Sequence, residues 1–185
     1  MRLLYLVSHP IQYQAPLLRF ISDDPNIQLK VLFENMDSVE GYYDIGFETN
    51  ISWDTDLTNG YEHHHVKSIS EINVHLMETD AFWLHGWDTA LKRRALQSAW
   101  LSEVPVLMRG ENTISAMPDG RALRGLVKRL YLHWVFNRCA GFLCIGSDNR
   151  EYYSVHGVRQ QQLFDMPYAI DNEAFSMNVR KSGTN

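Results

Sequence analysis

"RLLYLV" (residues 2–7), followed by "SHPIQYQAP" (8–16), decides the reading of this chain. The first six residues are an apolar run too short for a helix and without clean polar alternation, as in a parallel strand covered on both faces. At the turn that follows, a dinucleotide-binding domain carries G-x-G-x-x-G, because only glycine lets the backbone close on a pyrophosphate at a helix N-terminus. Here the turn has no glycine and offers His9, Gln12, Tyr13 and Gln14 instead. Pro10 biases His9 toward an extended conformation and Pro16 suits a first helical turn. The loop is thereby held at both sides, and its side chains can meet a ligand by directed hydrogen bonds.

The same rhythm recurs downstream. "QLKVLF" (28–33), "AFWLHG" (81–86), "PVLMRG" (105–110) and "GFLCIG" (141–146) read as further buried strands, giving a sheet of about five. Helical patterns over 16–21, 88–101, 121–137 and 149–156 alternate with them, the last closed by Gly157. Such alternation predicts an α/β fold with a doubly wound, mostly parallel sheet and helices on both faces. The stretch 34–65 interrupts the rhythm, with Gly41, Gly46 and Gly60 among Tyr42, Tyr43, Phe47, Trp53 and Tyr61. A long insertion of this kind reads as a functional or interface loop.

A chain of 185 residues suits one domain. Hydrophobic residues at 45% and charged residues at 21% exclude disorder and fibrous classes, and a net charge of −5 argues against general affinity for nucleic acid. Cys139 and Cys144 read as buried thiols of a reducing compartment. The N-terminal apolar run is too brief for a signal segment. A cytoplasmic protein is expected.

In open parallel sheets, ligands sit beyond the carboxyl ends of the strands. Those ends read "SHPIQYQ", "HGWD" (85–88), "RGENT" (109–113) and "GSDNR" (146–150), bringing His9, Gln12, His85, Trp87, Arg109, Glu111 and Asn149 toward one edge. Amides, imidazoles, Arg, Glu and an indole face suit a sugar, whereas no Ser or Cys sits beside a His in a nucleophile turn. "HHH" (63–65) is a weak metal candidate because a strand sends His64 to the opposite side from His63 and His65. "DTD" (54–56) has the form of a diphosphate–metal pair, but within a glycine-rich insertion Asp54 and Asp56 read as a solvated loop.

One further segment stands out. Residues 121–138, "RALRGLVKRLYLHWVFNR", hold five Lys or Arg and no acidic residue. Leu123, Leu126, Val127, Leu130, Tyr131, Trp134 and Val135 share a helical face. The plain expectation is a core helix with a solvated basic side; the alternative is an approach to an anionic membrane surface.

The ordered series "SHPIQYQAPLLR", "ISWDTDLTNGYEHH", "DAFWLHGWD", "PVLMRGENT", "CIGSDNREYYSVHGV" and "MPYAIDNEAF" resembles the N-terminal half of family 4 glycosyltransferases (formerly group 1) of GT-B architecture. The resemblance implies a Rossmann-like acceptor-side domain over 1–175, the start of a linker or a frayed tail over 176–185, and an absent C-terminal domain that would bind the donor. It implies a retaining, metal-independent transfer of sugar from a nucleotide-sugar, a co-substrate rather than a cofactor, to a saccharide or lipid-linked acceptor. His85 is the candidate nearest the chemistry; His9, Gln12, Trp87, Arg109, Glu111 and Asn149 are candidate substrate contacts. The family's Glu-x₇-Glu pair belongs to the second domain, so the matching spacings Glu40/Glu48 and Glu103/Glu111 carry no weight. A non-catalytic sugar-binding module, and a metal-dependent transferase using Asp54 and Asp56, remain as alternatives.

Overall fold

The computed structural model describes residues 1–40, 42–44, 49–51, 56–117 and 123–168. β1 (Arg2–Val7) leads through α1 (Ala15–Ser22) to β2 (Gln28–Phe33). The described part of the insertion holds α2 (Asp37–Glu40) and an antiparallel pair, β3 (Tyr42–Asp44) and β4 (Thr49–Ile51). Then come β5 (Glu62–His65), α3 (Ile69–Leu76), β6 (Ala81–His85), α4 (Ala90–Leu101) and β7 (Val106–Arg109). α5 (Leu123–Phe136), β8 (Gly141–Cys144), α6 (Ser147–Val155) and β9 (Leu163–Asp165) complete the order. Trp53, Asp54 and residues 169–185, which include the expected linker or tail over 176–185, lie outside the described residues.

Seven strands form one sheet in the order β5-β2-β1-β6-β7-β8-β9, and every pairing in it is parallel. The five expected strands are all present, and β5 and β9 extend the sheet at its two edges. The chain winds outward from β1 in one direction as far as β5 and then in the other from β6. The crevice between β1 and β6 is therefore the topological switch point, where open α/β sheets bind ligands.

Alternate residues of β1 explain the continuous apolar run. Leu4 and Leu6 join Phe82, Leu84, Met108 and Phe142 in a core covered by α3 to α6. Leu3, Tyr5 and Val7 join Val31, Phe33 and Trp83 beneath α1 and Tyr61. With both faces buried, no polar alternation is left for the sequence to display.

α5 corrects one expectation. It is buried through Gly125, Leu132, Val135 and Phe136, while Leu123, Leu126, Val127, Leu130, Tyr131 and Trp134 are exposed. Of the stripe expected to enter the core, only Val135 does. Periodicity identifies a stripe but not the side that meets the sheet.

Both cysteines are free and buried, and desolvation pushes the Cys139 thiol up to about 12. Among the described residues no helix is long and apolar enough to cross a membrane.

Candidate functional site

The switch point is built first from β1 and β6. Tyr5 and Trp83 are register partners, and their rings stack with centroids 3.9 Å apart. Two residues on, at the end of β6, the His85 ring places Nδ1 2.8 Å from the Tyr5 hydroxyl. Gln14, buried at the N-terminus of α1, accepts from the same hydroxyl at 3.1 Å and sets its Nε2 3.4 Å from Nδ1. Tyr5 has one proton to give. Given to Gln14, it leaves Oη to accept from Nδ1–H and frees Nε2 as an acceptor; given to Nδ1, it makes Nε2 the donor.

His85 is electrically quiet. Burial, with Arg109 and Lys92 nearby, lowers its pKa to about 4, so the ring is neutral at neutral pH. Tyr5 is likewise a neutral phenol, its pKa raised above all by desolvation.

Arg109 ends β7 as the register partner of His85. Its side chain is 1% exposed, with the guanidinium carbon 4.9 Å from the Tyr168 ring centroid and 5.9 Å from that of Trp83. Nε and Nη2 are buried without a hydrogen-bond partner among the described residues. Two uncommitted donors on a buried cation leave a cost that a bound acceptor group can repay. Tyr168 packs edge-on against Tyr13 at 4.7 Å and donates its hydroxyl proton to Glu111, so the exposed Glu111 reaches the same cluster.

A second cation lies behind the first strand ends. Lys92, 2% exposed, points Nζ at Ser8 Oγ (2.8 Å) and Asp88 Oδ1 (2.9 Å) and lies 3.6 Å from Glu34 Oε2. Thr89 donates to Glu34 Oε1 at 2.7 Å and accepts from the Lys92 backbone N–H, capping α4. Burial works against the Asp88 carboxylate, but the bond and charge of Lys92 prevail and lower its pKa. Gly86 permits the sharp exit from β6: its φ is +78°, and a Cβ there would lie 2.9 Å from Asp88 Oδ1.

The other expected site residues divide. Asn149, 2% exposed, donates to the Gly110 and Asn112 carbonyls and accepts from the Ile145 N–H; its amide clasps the end of β7 to that of β8. Trp87 packs edge-on against Phe136 at 5.3 Å, closing the core below the loop. His9 and Gln12 are exposed on the first loop. The sequence reading misses Tyr5, which hides in an apolar run, and Lys92, which resembles a solvated helix charge; Gln14 and Tyr13 were visible only as part of the loop.

Of the metal candidates, Asp56 and the three histidines of β5 lie among the described residues. Asp56 Oδ1 accepts the Thr58 and Asn59 N–H groups, both at 3.0 Å, closing its own turn. In β5 the histidines alternate: His63 lies against Phe33 and Tyr61, His64 against His75. Among the described residues no group of three or more His, Cys, Asp or Glu is arranged to hold an ion.

The chain shares its fold with known proteins. It matches Anabaena Alr3699/HepE, solved with UDP and glucose, at a TM-score of 0.59 and 9% identity, over 99% of this chain and 50% of that one. This is the fold of one half of a GT-B protein. The lipopolysaccharide outer core galactosyltransferase WaaB, in its apo form, matches at a TM-score of 0.54 and 10% identity, over 89% of this chain and 44% of that one. The chain thus spans about half the length of the GT-B structures it matches. No protein-family model and no curated protein matches it.

Proposed function

We propose that this chain is the acceptor-side domain, over 1–175, of a cytoplasmic family 4 glycosyltransferase. It works with a donor-binding domain that follows a linker beginning at 176. The whole enzyme moves sugar from a nucleotide-sugar to a saccharide or lipid-linked acceptor, with retention and without a metal. The observation that carries this reading is Arg109, a buried guanidinium with two uncommitted donors beside the neutral His85 at the switch point. Such a pair offers an oxygen-rich ligand fixed charge and a hydrogen-bonding ring whose tautomer follows Tyr5. No nucleophile is asked of the protein: orientation and stabilisation of developing charge do the work.

His85 is the group placed nearest the reacting atoms. Arg109 and Glu111, joined through Tyr168, hold acceptor oxygens; His9 and Gln12 reach them from the first loop. Asn149 and Trp87 act by holding the loops that present these groups.

The test is titration of the 185-residue chain, followed through the imidazole resonances of His85, with uncharged saccharides, phosphorylated or carboxylated saccharides, and UDP-sugars. Acceptor-type saccharides should shift the His85 signals, UDP-sugars should bind weakly, and no transfer should occur with or without Mn²⁺. In a two-domain enzyme containing this domain, Gln12→Ala should raise the acceptor KM and leave the donor KM in place. Turnover by the chain alone, abolished by His85→Ala, overturns the reading; so does a donor KM that moves in place of the acceptor KM.

A further inference from the structure

α5 presents to solvent what its sequence suggests should be buried. Leu123, Leu126, Val127, Leu130, Tyr131 and Trp134 occupy an arc of about 140° at the helical 100° per residue. Leu123 is 76% exposed and Leu130 62%. A contiguous apolar stripe of this size marks an interaction surface.

The charge around the stripe says what covers it. Neither α4 nor α5 contains an acidic residue, whereas, apart from the buried Lys92, together they carry Arg93, Arg94, Arg124, Lys128 and Arg129. The chain as a whole is at −5, so this face is a local reversal of sign. Arg138, just past α5, stacks on Trp134 with its guanidinium carbon 4.2 Å from the ring centroid. Trp134 in turn meets Trp100 of α4 edge-on at 5.4 Å. Between the helices runs an open groove of about 280 Å³, lined by Arg93, Arg94, Gln97 and Trp100 of α4 and by Tyr131 and Trp134 of α5.

We propose that α4 and α5 form a membrane-docking face that lies on a bilayer rich in anionic phospholipid. Leu123, Leu126 and Leu130 enter the headgroup–acyl boundary, Tyr131 and Trp134 sit at headgroup level, and the arginines pair with lipid phosphates. A second copy of the chain fits less well, because a symmetric pairing would set the same arginines against one another. The proposal stands apart from the assignment of the sugar site. It also has a geometric sequel: as the crossover between parallel β7 and β8, α5 runs back from the edge that holds His85 and Arg109, so its N-terminal leucines lie on the side of the molecule where the site opens.

Sedimentation of the chain with phosphatidylcholine vesicles containing rising fractions of phosphatidylglycerol tests this. The bound fraction should rise with phosphatidylglycerol and fall with salt. Leu126→Asp combined with Leu130→Asp should abolish binding. Arg124→Gln, a change on the exposed surface that leaves the core intact, should lower the partition coefficient about five-fold, the equivalent of about 1 kcal/mol per cation. Binding indifferent to anionic lipid, no binding at any composition, or wild-type binding by both variants overturns the proposal. So does a dimer in light scattering, without vesicles, that the leucine variant dissolves, since the stripe would then belong to a second copy.

Discussion

The hydroxyl of Tyr5 stands 2.8 Å from Nδ1 of His85, eighty positions along the chain and one strand across the sheet. A residue in the middle of an apolar strand thus sets the proton on the ring that faces the switch point. Tyr5→Phe removes the hydroxyl from both Gln14 and His85 and leaves the buried Gln14 and the half-buried His85 short of a bond. The expected cost is about 1–3 kcal/mol, read as a lower urea midpoint with an unchanged m-value.

The neutral state of His85 gives stability a pH dependence of definite sign. Its pKa is about 4 in the fold against an ordinary 6.5, so between those values the unfolded chain takes up a proton that the folded chain refuses. Stability is fully present above pH 6.5 and falls as pH drops toward 4. His75, also lowered by burial, contributes with the same sign. The difference between wild type and His85→Asn, which keeps a polar atom near Nδ1, isolates the His85 share. Thermal midpoints at several pH values should converge toward pH 4, and parallel curves would contradict the assignment.

Arg109 should trade stability for binding. Its buried guanidinium leaves Nε and Nη2 without partners among the described residues, and replacing a poorly compensated buried charge with an apolar side chain is often stabilising. Arg109→Met should raise the unfolding free energy of the free chain by about 1 kcal/mol while removing the saccharide-induced shifts at His85. A destabilised variant that still binds would show that Arg109 serves the fold alone.

Lys92 has the opposite character because its partners surround it. Lys92→Met leaves Glu34 and Asp88 without their cation and should cost about 3–5 kcal/mol. Adding Glu34→Gln should recover part of that loss. Denaturation of the two single variants and the double variant yields the coupling directly.

The fold is legible where burial on both faces writes uninterrupted apolar runs, as in β1, β2, β6, β7 and β8. It is less legible at the edges. β5 reads "EHHH" and β9 only "LFD", because an edge strand with one neighbour needs little apolar character of its own. α3 carries a signal that is easily passed over: Ser68 accepts from the Glu71 N–H and Glu71 accepts from the Lys67 N–H, a capping arrangement visible as "SISE".

Within the site, the strand-end rule finds His85 and Arg109, since sheet topology alone brings those positions together. It does not tell a presenting residue from a bracing one. Asn149 and Trp87 share the spacing of contact residues, and only their partners reveal that they hold loops. α5 shows the same limit from the other side, because a periodic stripe is equally compatible with the core and with an outward surface.

The Lys92 cluster also bears on how this sequence can change over evolutionary time. One ammonium group serves Ser8 after β1, Glu34 after β2 and Asp88 after β6, so three segments distant in the chain answer to a single side chain. Drift at any of these positions strands the others. In a deep set of relatives, positions 34, 88 and 92 should therefore be exchanged as a block, keeping one cation between two carboxylates or giving up all three charges together, while the neighbouring loop residues vary independently.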